Sequence, residues 1–207
     1  MSSLSRWLVA LAALLLLVVF VAPLWHFDFE APQYPEGLEM SIYVNRLGGA
    51  FHLINSLNHY VGMKPIEAED FRELVIFPWA VVALTALGLI VALVGRLGLL
   101  AAWVAIFTIA ALAAFADFYH WLYAYGHNLD PRAAITMDPF TPPVLGSKTV
   151  MNFVVAARPA LGGLAVIAAF ALGWFALLFD LFRRRRARRR TQQPAPPRHP
   201  APTPTTA

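Results

Sequence analysis

Four apolar stretches, each long enough to cross a bilayer as a helix, divide this 207-residue chain and constrain it more than any other feature. Crossing takes about 20 residues, because a helix rises about 1.5 Å per residue and the hydrocarbon core is about 30 Å thick. The stretches cover about 7–24, 75–94, 97–119 and 160–182, and only Gly95, Arg96, Leu97 and Gly98 separate the second from the third. Those two must form a tight antiparallel hairpin. A water-soluble fold fails on composition. Apolar residues make up 59% of the chain and charged residues 14%, against roughly 45–50% and about 25% in soluble domains. A soluble fold would lack the charge to cover its surface, and the same composition excludes disorder for most of the chain.

Charge is segregated along the sequence. Seven arginines lie in the run RRRRARRR from Arg183 to Arg190, and eight of the twelve acids lie between Asp28 and Glu73. With four spans, Arg6, Arg96 and the arginine run share one side, which the positive-inside rule makes cytoplasmic. The expected setting is a bacterial inner membrane, with both termini inside and the segments 25–74 and 120–159 outside. The arginine run then grips anionic lipid, at about 1 kcal/mol per residue near the surface; nucleic acid is not an expected partner. The Pro-rich remainder of 183–207 is expected to be disordered. The first span is expected to be an uncleaved helix, since its apolar run exceeds that of a signal peptide and Pro23 follows the possible cleavage point at Ala22.

The outer segments carry their own structure. Met40 to Val44 alternates well enough for one short strand, which Gly48-Gly49 breaks. Phe51, Ile54, Leu57 and Val61 repeat at helical spacing, and Pro65 ends that helix. The third span is expected to continue to Tyr125, with an aromatic belt of Tyr119, Trp121, Tyr123 and Tyr125 and a stop at Gly126. Leu145 to Arg158 is expected to form a short interfacial helix. Phe51, Ile54 and Leu57 in one segment, and Ile135, Phe140 and Val144 in the other, cannot face water. The expected fold is therefore an all-α membrane protein of four transmembrane helices, with two structured extracytoplasmic loops packed into a small cap.

Chemical signals are sparse. Cysteine is absent, which removes disulfides and thiolate metal sites. No phosphate loop or nucleophile elbow appears, so no catalytic motif supports an enzyme. The span interiors are nearly free of charge, unlike those of ion-coupled transporters. Five of the six histidines (His26, His52, His59, His120 and His127) and Met40, Met63, Met137 and Met151 lie in or beside the outer segments. Imidazole and thioether without thiolate is a ligand set that suits copper, particularly Cu(I). His59 and Met63 stand four residues apart, and Asp117 and His120 stand three apart, a spacing that can pair a carboxylate with a ring. Plain interfacial packing of the same residues is the competing reading, with His59 capping its own helix and His127 bonded to the Asp130 turn.

The segments APQYPEGLEMSIYVNRLGG, INSLNHYVGMKPIE, DFYHWLYAYGHNLDPRAAI and PPVLGSKTVMNF resemble a family of small four-helix membrane proteins. Their genes often accompany accessory genes for nitrous oxide reductase, a multicopper enzyme that works outside the cytoplasm. The resemblance covers about 25–158 and matches Asn58, His59, Met63, Lys64, Asp117, Tyr119, His127, Asn128 and Asp130. It departs at His120, where the family usually lacks histidine, and at Leu122, where it often has an acid. That departure weakens the Asp117–His120 pair. The resemblance implies a copper-related or electron-transfer-related accessory role, with copper handling or assembly as the leading expectation and membrane or periplasmic accessory proteins as partners. On that basis His59, Met63 and His127 are the expected copper ligands, with Asp117 and Asp130 orienting the rings. An electron-transfer or quinol-site subunit, or a non-catalytic membrane anchor, are the alternatives.

Overall fold

A computed structural model describes residues 1–191 of the chain, with side chains through 187. The segment 192–207, expected to be disordered and containing His199, lies outside the described residues. Helices α1 (Ser3–Leu15, continued by a 3-10 turn over Leu16–Phe20), α3 (Glu73–Val94), α4 (Leu97–His127) and α5 (Leu161–Thr191) are the long elements. All four are long and apolar enough to cross a membrane. A short helix α2 (Phe51–Tyr60) stands where the spacing of Phe51, Ile54 and Leu57 predicts it. The arginine run, expected to begin the tail, continues α5 instead.

The expectation of an all-α chain needs correction. Strands β1 (Trp25–Ala31), β2 (Tyr34–Ile42), β3 (Leu47–Gly49), β4 (Gly146–Val150) and β5 (Phe153–Pro159) form one antiparallel sheet in the order β3-β2-β1-β5-β4. The segment 145–158, expected to be helical, is instead the β4–β5 hairpin, turning at Met151 and Asn152. The reason lies in period and residue type. WHFDFEA alternates apolar and polar at every position, and FVVAARP opens with two β-branched residues after its phenylalanine, both of which favour extended chain. In the resulting register Phe27 faces Met40 on one side and Ala157 on the other, and Phe29 faces Leu38 and Val155. Directly opposed residues share a face, so Phe27, Leu38, Met40, Val155 and Ala157 form one buried row. Ile54 of α2 and Phe118 and Leu122 of α4 pack against it. The two loop segments therefore form a single cap, joined by the β1–β5 ladder.

That ladder is continuous with the helices. β1 follows α1 and β5 leads into α5, so the antiparallel helix pair runs on as an antiparallel strand pair. Ala160 N–H donates to Leu24 O at 3.0 Å and Gly162 N–H to Pro23 O at 2.9 Å. A Cβ at Gly162 or Gly163 would collide with the carbonyl oxygens of Ala22, Pro23 or Leu24, so only glycine lets α5 start this close to the end of α1.

At the opposite end, the Ser2 side chain caps α1 and its N–H donates to the buried Asp180 carboxylate. Arg6, expected only as a topology signal, also caps α3: it donates to Ala92 O at 2.7 Å and Leu93 O at 2.6 Å, beside the left-handed Gly95. Cations are favoured at a helix C-terminus. Between the ends, Trp103 is buried and donates to Leu84 O at 2.9 Å. Gly88 and Gly173 give its indole room, and Gly88 also receives Ala13 of α1.

The junction is testable. Gly163→Ala is expected to destabilise the protein by about 1–3 kcal/mol, the usual range for overpacking. Gly98, in the first turn of α4, has nothing within 4 Å of the point where a methyl group would stand, so Gly98→Ala is expected to be neutral or to gain up to about 1 kcal/mol of helix propensity. Thermal unfolding in detergent compares the two, and equal midpoints would remove the close-approach argument.

Candidate functional site

The inner face of the sheet does not close onto the helices. Between it, α2 and the adjoining parts of α3, α4 and α5 lies a cavity of about 740 Å³. Its walls are almost wholly apolar: Phe27 and Met40 from the sheet, Ile54 from α2, Phe77 from α3, Phe118 from α4 and Val166 from α5. Ile76, Phe115 and Ile167 also line it, and they are 59%, 54% and 54% exposed on the sides of their helices. The cavity therefore opens sideways through the helix bundle, at a level that lipid chains would occupy.

Few polar groups face this space, and Asn58, Glu73 and Asp117 are among them. Asn58 of α2 is only 6% exposed, and its Nδ2 has no hydrogen-bond partner among the described residues. Glu73 begins α3, and the Asp117 side chain of α4 lies close enough to its carboxyl for each to act on the other's charge. Glu73 Oε2 is buried and meets no N–H or O–H donor among the described residues. A buried polar group left without a partner costs about 1–3 kcal/mol, so the cavity holds unsatisfied donor and acceptor capacity. His120, the partner expected for Asp117, lies close enough to act on its charge, and so does Glu73.

The connection from α2 to α3 forms one wall. Asn55 clips it with two bonds, Nδ2 donating to Ile66 O at 3.0 Å and Oδ1 accepting from Ile66 N–H at 2.7 Å. Lys64 pairs with Asp70 at 2.6 Å. Phe71 then packs on Trp121 with ring centroids 4.7 Å apart and stacks over Tyr125 at 6.3 Å. All three rings line the cavity.

The expected metal ligands are distributed around this wall. Met63 lines the cavity. His59 is exposed, edge-on to Tyr60. His127 stacks on Tyr123 at 3.8 Å, and its Nδ1 bonds to Tyr123 O at 2.9 Å. The segments that carry these residues do adjoin: Asp130 N–H donates to Gly62 O at 2.8 Å and Ile135 N–H to Tyr60 O at 2.9 Å. Gly62 has φ +76°, and a Cβ there would strike the Asp130 backbone. The Asp130 carboxylate accepts from the Arg132 N–H at 2.9 Å. That bond, with help from the guanidinium, holds its pKa below the ordinary 3.8. The turn's contribution is thus complete above that pH and is lost as pH falls through the lowered value. Among the described residues, no three His, Asp or Glu side chains stand close enough together to hold a metal ion.

Gly126, expected to stop α4, lies inside it. It is glycine because Phe140 O lies where its Cβ would be, while Phe140 N–H donates to Gly126 O at 3.0 Å. Glu73 is not among the expected site residues, and only the resemblance marks Asn58. A signal for the carboxyl pair exists: Glu73 and Asp117 each stand 22 residues from Gly95 in the hairpin turn. In an antiparallel helical hairpin, equal spacing places two residues at one level. Comparison with protein-family models, curated proteins and solved structures finds no match to this chain.

The Asn55 clip gives a test of the wall. Asn55→Ala removes both bonds to Ile66 and is expected to destabilise by about 1–3 kcal/mol. The Ile66 amide, which donates to Asn55 Oδ1, is expected to exchange its hydrogen faster in the variant than in wild type; equal exchange would mean that the clip does not hold this segment.

Proposed function

We propose that this protein is a multi-pass membrane accessory subunit that draws an amphiphilic molecule from the bilayer into the cavity beneath its sheet and holds the head group there. The observation that carries the reading is a large apolar cavity, open through the side of the helices, with a few polar groups in its lining. Its volume lies within the roughly 300–1,000 Å³ common for small-molecule sites, and apolar walls with few polar groups are their usual construction. A side opening between membrane-spanning helices admits molecules that dissolve in lipid. By the positive-inside argument the sheet faces outward from a bacterial inner membrane and the arginine run faces the cytoplasm. The resemblance supports service to an extracytoplasmic metalloenzyme such as nitrous oxide reductase; of the expected roles, the electron-transfer alternative is the one that a lipid-facing cavity suits.

The test is native mass spectrometry of the full chain released from lipid nanodiscs. One retained amphiphile per protein is expected. Ala114 lines the cavity, and Ala114→Trp is expected to expel that molecule with little change in melting temperature. Wild-type protein that retains nothing would sink the reading. For the orientation, reporter fusions after Glu30 should read outside and fusions after Thr191 inside.

Copper handling is a second reading, favoured by the backbone bonds that join the His59 and His127 segments. Cu(I) would be held by His59, Met63 and His127, with Asp117 and Asp130 orienting the site. Purified wild type is then expected to take up Cu(I) stoichiometrically, and His59→Ala and His127→Ala to lose it while still folded. Folded wild type that binds no Cu(I) would remove this reading and leave the first untouched.

A further inference from the structure

We infer that the head group held in the cavity is that of a membrane quinol, a planar diphenol on an apolar tail, bound through a hydroxyl between Asn58 and the Glu73–Asp117 carboxyl pair. The inference rests on the amphiphile reading above and names the class of molecule. Three observations converge on it.

The first is hydrogen-bond complementarity. Asn58 Nδ2 is a buried donor with no partner among the described residues, and Glu73 Oε2 is a buried acceptor that meets no donor. Both residues line the same cavity as Asp117. A ligand that satisfies both must be able to accept and to donate. A phenolic hydroxyl does so with a single oxygen. An ammonium head only donates, so it would answer the carboxyls and leave Asn58 unmet. A phosphate head brings negative charge to two acids, which disfavours the usual anionic phospholipids.

The second is shape. Phe71, Trp121 and Tyr125 line the cavity together with Glu73 and Asp117, and their rings pack on one another, with Phe71 and Trp121 centroids 4.7 Å apart. Phe118 adds a fourth ring, 5.5 Å from Trp25. Aromatic walls suit a flat ring better than a branched glycerol backbone.

The third is depth. Glu73 and Asp117 each stand 22 residues from Gly95, which is about 33 Å of helix, close to the thickness of the hydrocarbon core. The carboxyl pair therefore sits near one membrane boundary, and the side opening leads from it toward the lipid chains. A head at the boundary with its tail in the bilayer is the natural pose of a quinol here. Glu73 would accept the hydroxyl hydrogen bond and Asn58 would donate to the same oxygen.

The experiment uses the full chain in phosphatidylcholine nanodiscs. It is loaded anaerobically with decylubiquinol, and bound mass is read by native mass spectrometry. One decylubiquinol per protein is expected, retained against a tenfold excess of phosphatidylglycerol or of dodecylamine. Asn58→Leu and Glu73→Gln are each expected to weaken retention by about tenfold or more, the loss of one hydrogen bond to a polar or charged partner. Should either variant fail to fold, the wild-type competition order decides alone. Displacement by phosphatidylglycerol or dodecylamine would overturn the quinol assignment and leave the amphiphile reading standing. So would folded variants that bind as wild type does. Decylubiquinol retained equally by Ala114→Trp would place it outside the cavity and overturn both.

Discussion

The close approach of α5 to the end of α1 is the contact on which the rest of the structure depends. Gly162 and Gly163 remove the two Cβ atoms that would strike the carbonyls of Ala22, Pro23 and Leu24. With the helices that close, the chain leaving α1 and the chain entering α5 lie at strand spacing, and β1 and β5 pair along their length. β2 then adds to the free edge of β1, and β4 to that of β5. The sheet is therefore not a separate domain laid over a bundle. It continues the α1–α5 pair, and a shift of α5 against α1 would tilt the roof of the cavity.

The helix pair that carries the roof differs from the pair that forms the opposite wall. α1 supplies fully buried Val9, Ala12 and Ala13 to the interior, and the 3-10 turn after it adds Val19. α3 and α4 are joined by the short turn at Gly95 and Arg96 and packed on Trp103 toward that end. Toward the sheet they carry the exposed, cavity-lining Ile76, Ala80, Ala113 and Phe115. Close packing at one end and an open interior at the other follow from the residues. Gly88, Ala92 and Gly173 let backbones approach near Trp103, whereas α4 presents Ala110, Ala111, Ala113 and Ala114 to the cavity, too small to fill the space between its aromatic residues. Small side chains close an interface where a partner can move in, and leave a void where a rigid sheet holds the partner away.

The legible part of the fold is the part governed by long apolar runs. Lipid tolerates only internally bonded backbone, so four such runs mean four helices, with ends off by a few residues. The sheet is harder to read because its central pair, β1 and β5, joins residues more than 120 positions apart in the sequence. WHFDFEA carries a clear period-two pattern, but it directly follows the long apolar run 7–24, which dominates any local reading. GSKTVMNFVVAARP has weaker alternation, since Ala156 and Ala157 give neither face a strong preference. Its extended state is set by pairing with β1, which no local pattern contains. The site is partly legible in the same sense. Asp117 stands out as a charge near a span end, but Glu73 reads as one more acid in an acidic loop. Only the hairpin symmetry about Gly95 relates the two.

The cap places its chemistry on two sides of one thin wall. Along α2 and the turn after it, Asn58 and Met63 face the cavity while His59 is exposed. Along α4, Trp121 and Tyr125 face the cavity while Tyr123 is exposed with His127 stacked on it. The bond from Asp130 N–H to Gly62 O and the bond from Ile135 N–H to Tyr60 O tie these two elements at that wall. A head group that drew Asn58 toward Glu73 would pull on α2 within one residue of His59. The Gly62–Asp130 contact joins that part of the chain to the segment after α4. A molecule bound on the membrane side and a metal or protein partner bound on the exposed side would therefore act on the same backbone. Any coupling between them must be reciprocal, because each would shift the same wall by its differential affinity for the two positions.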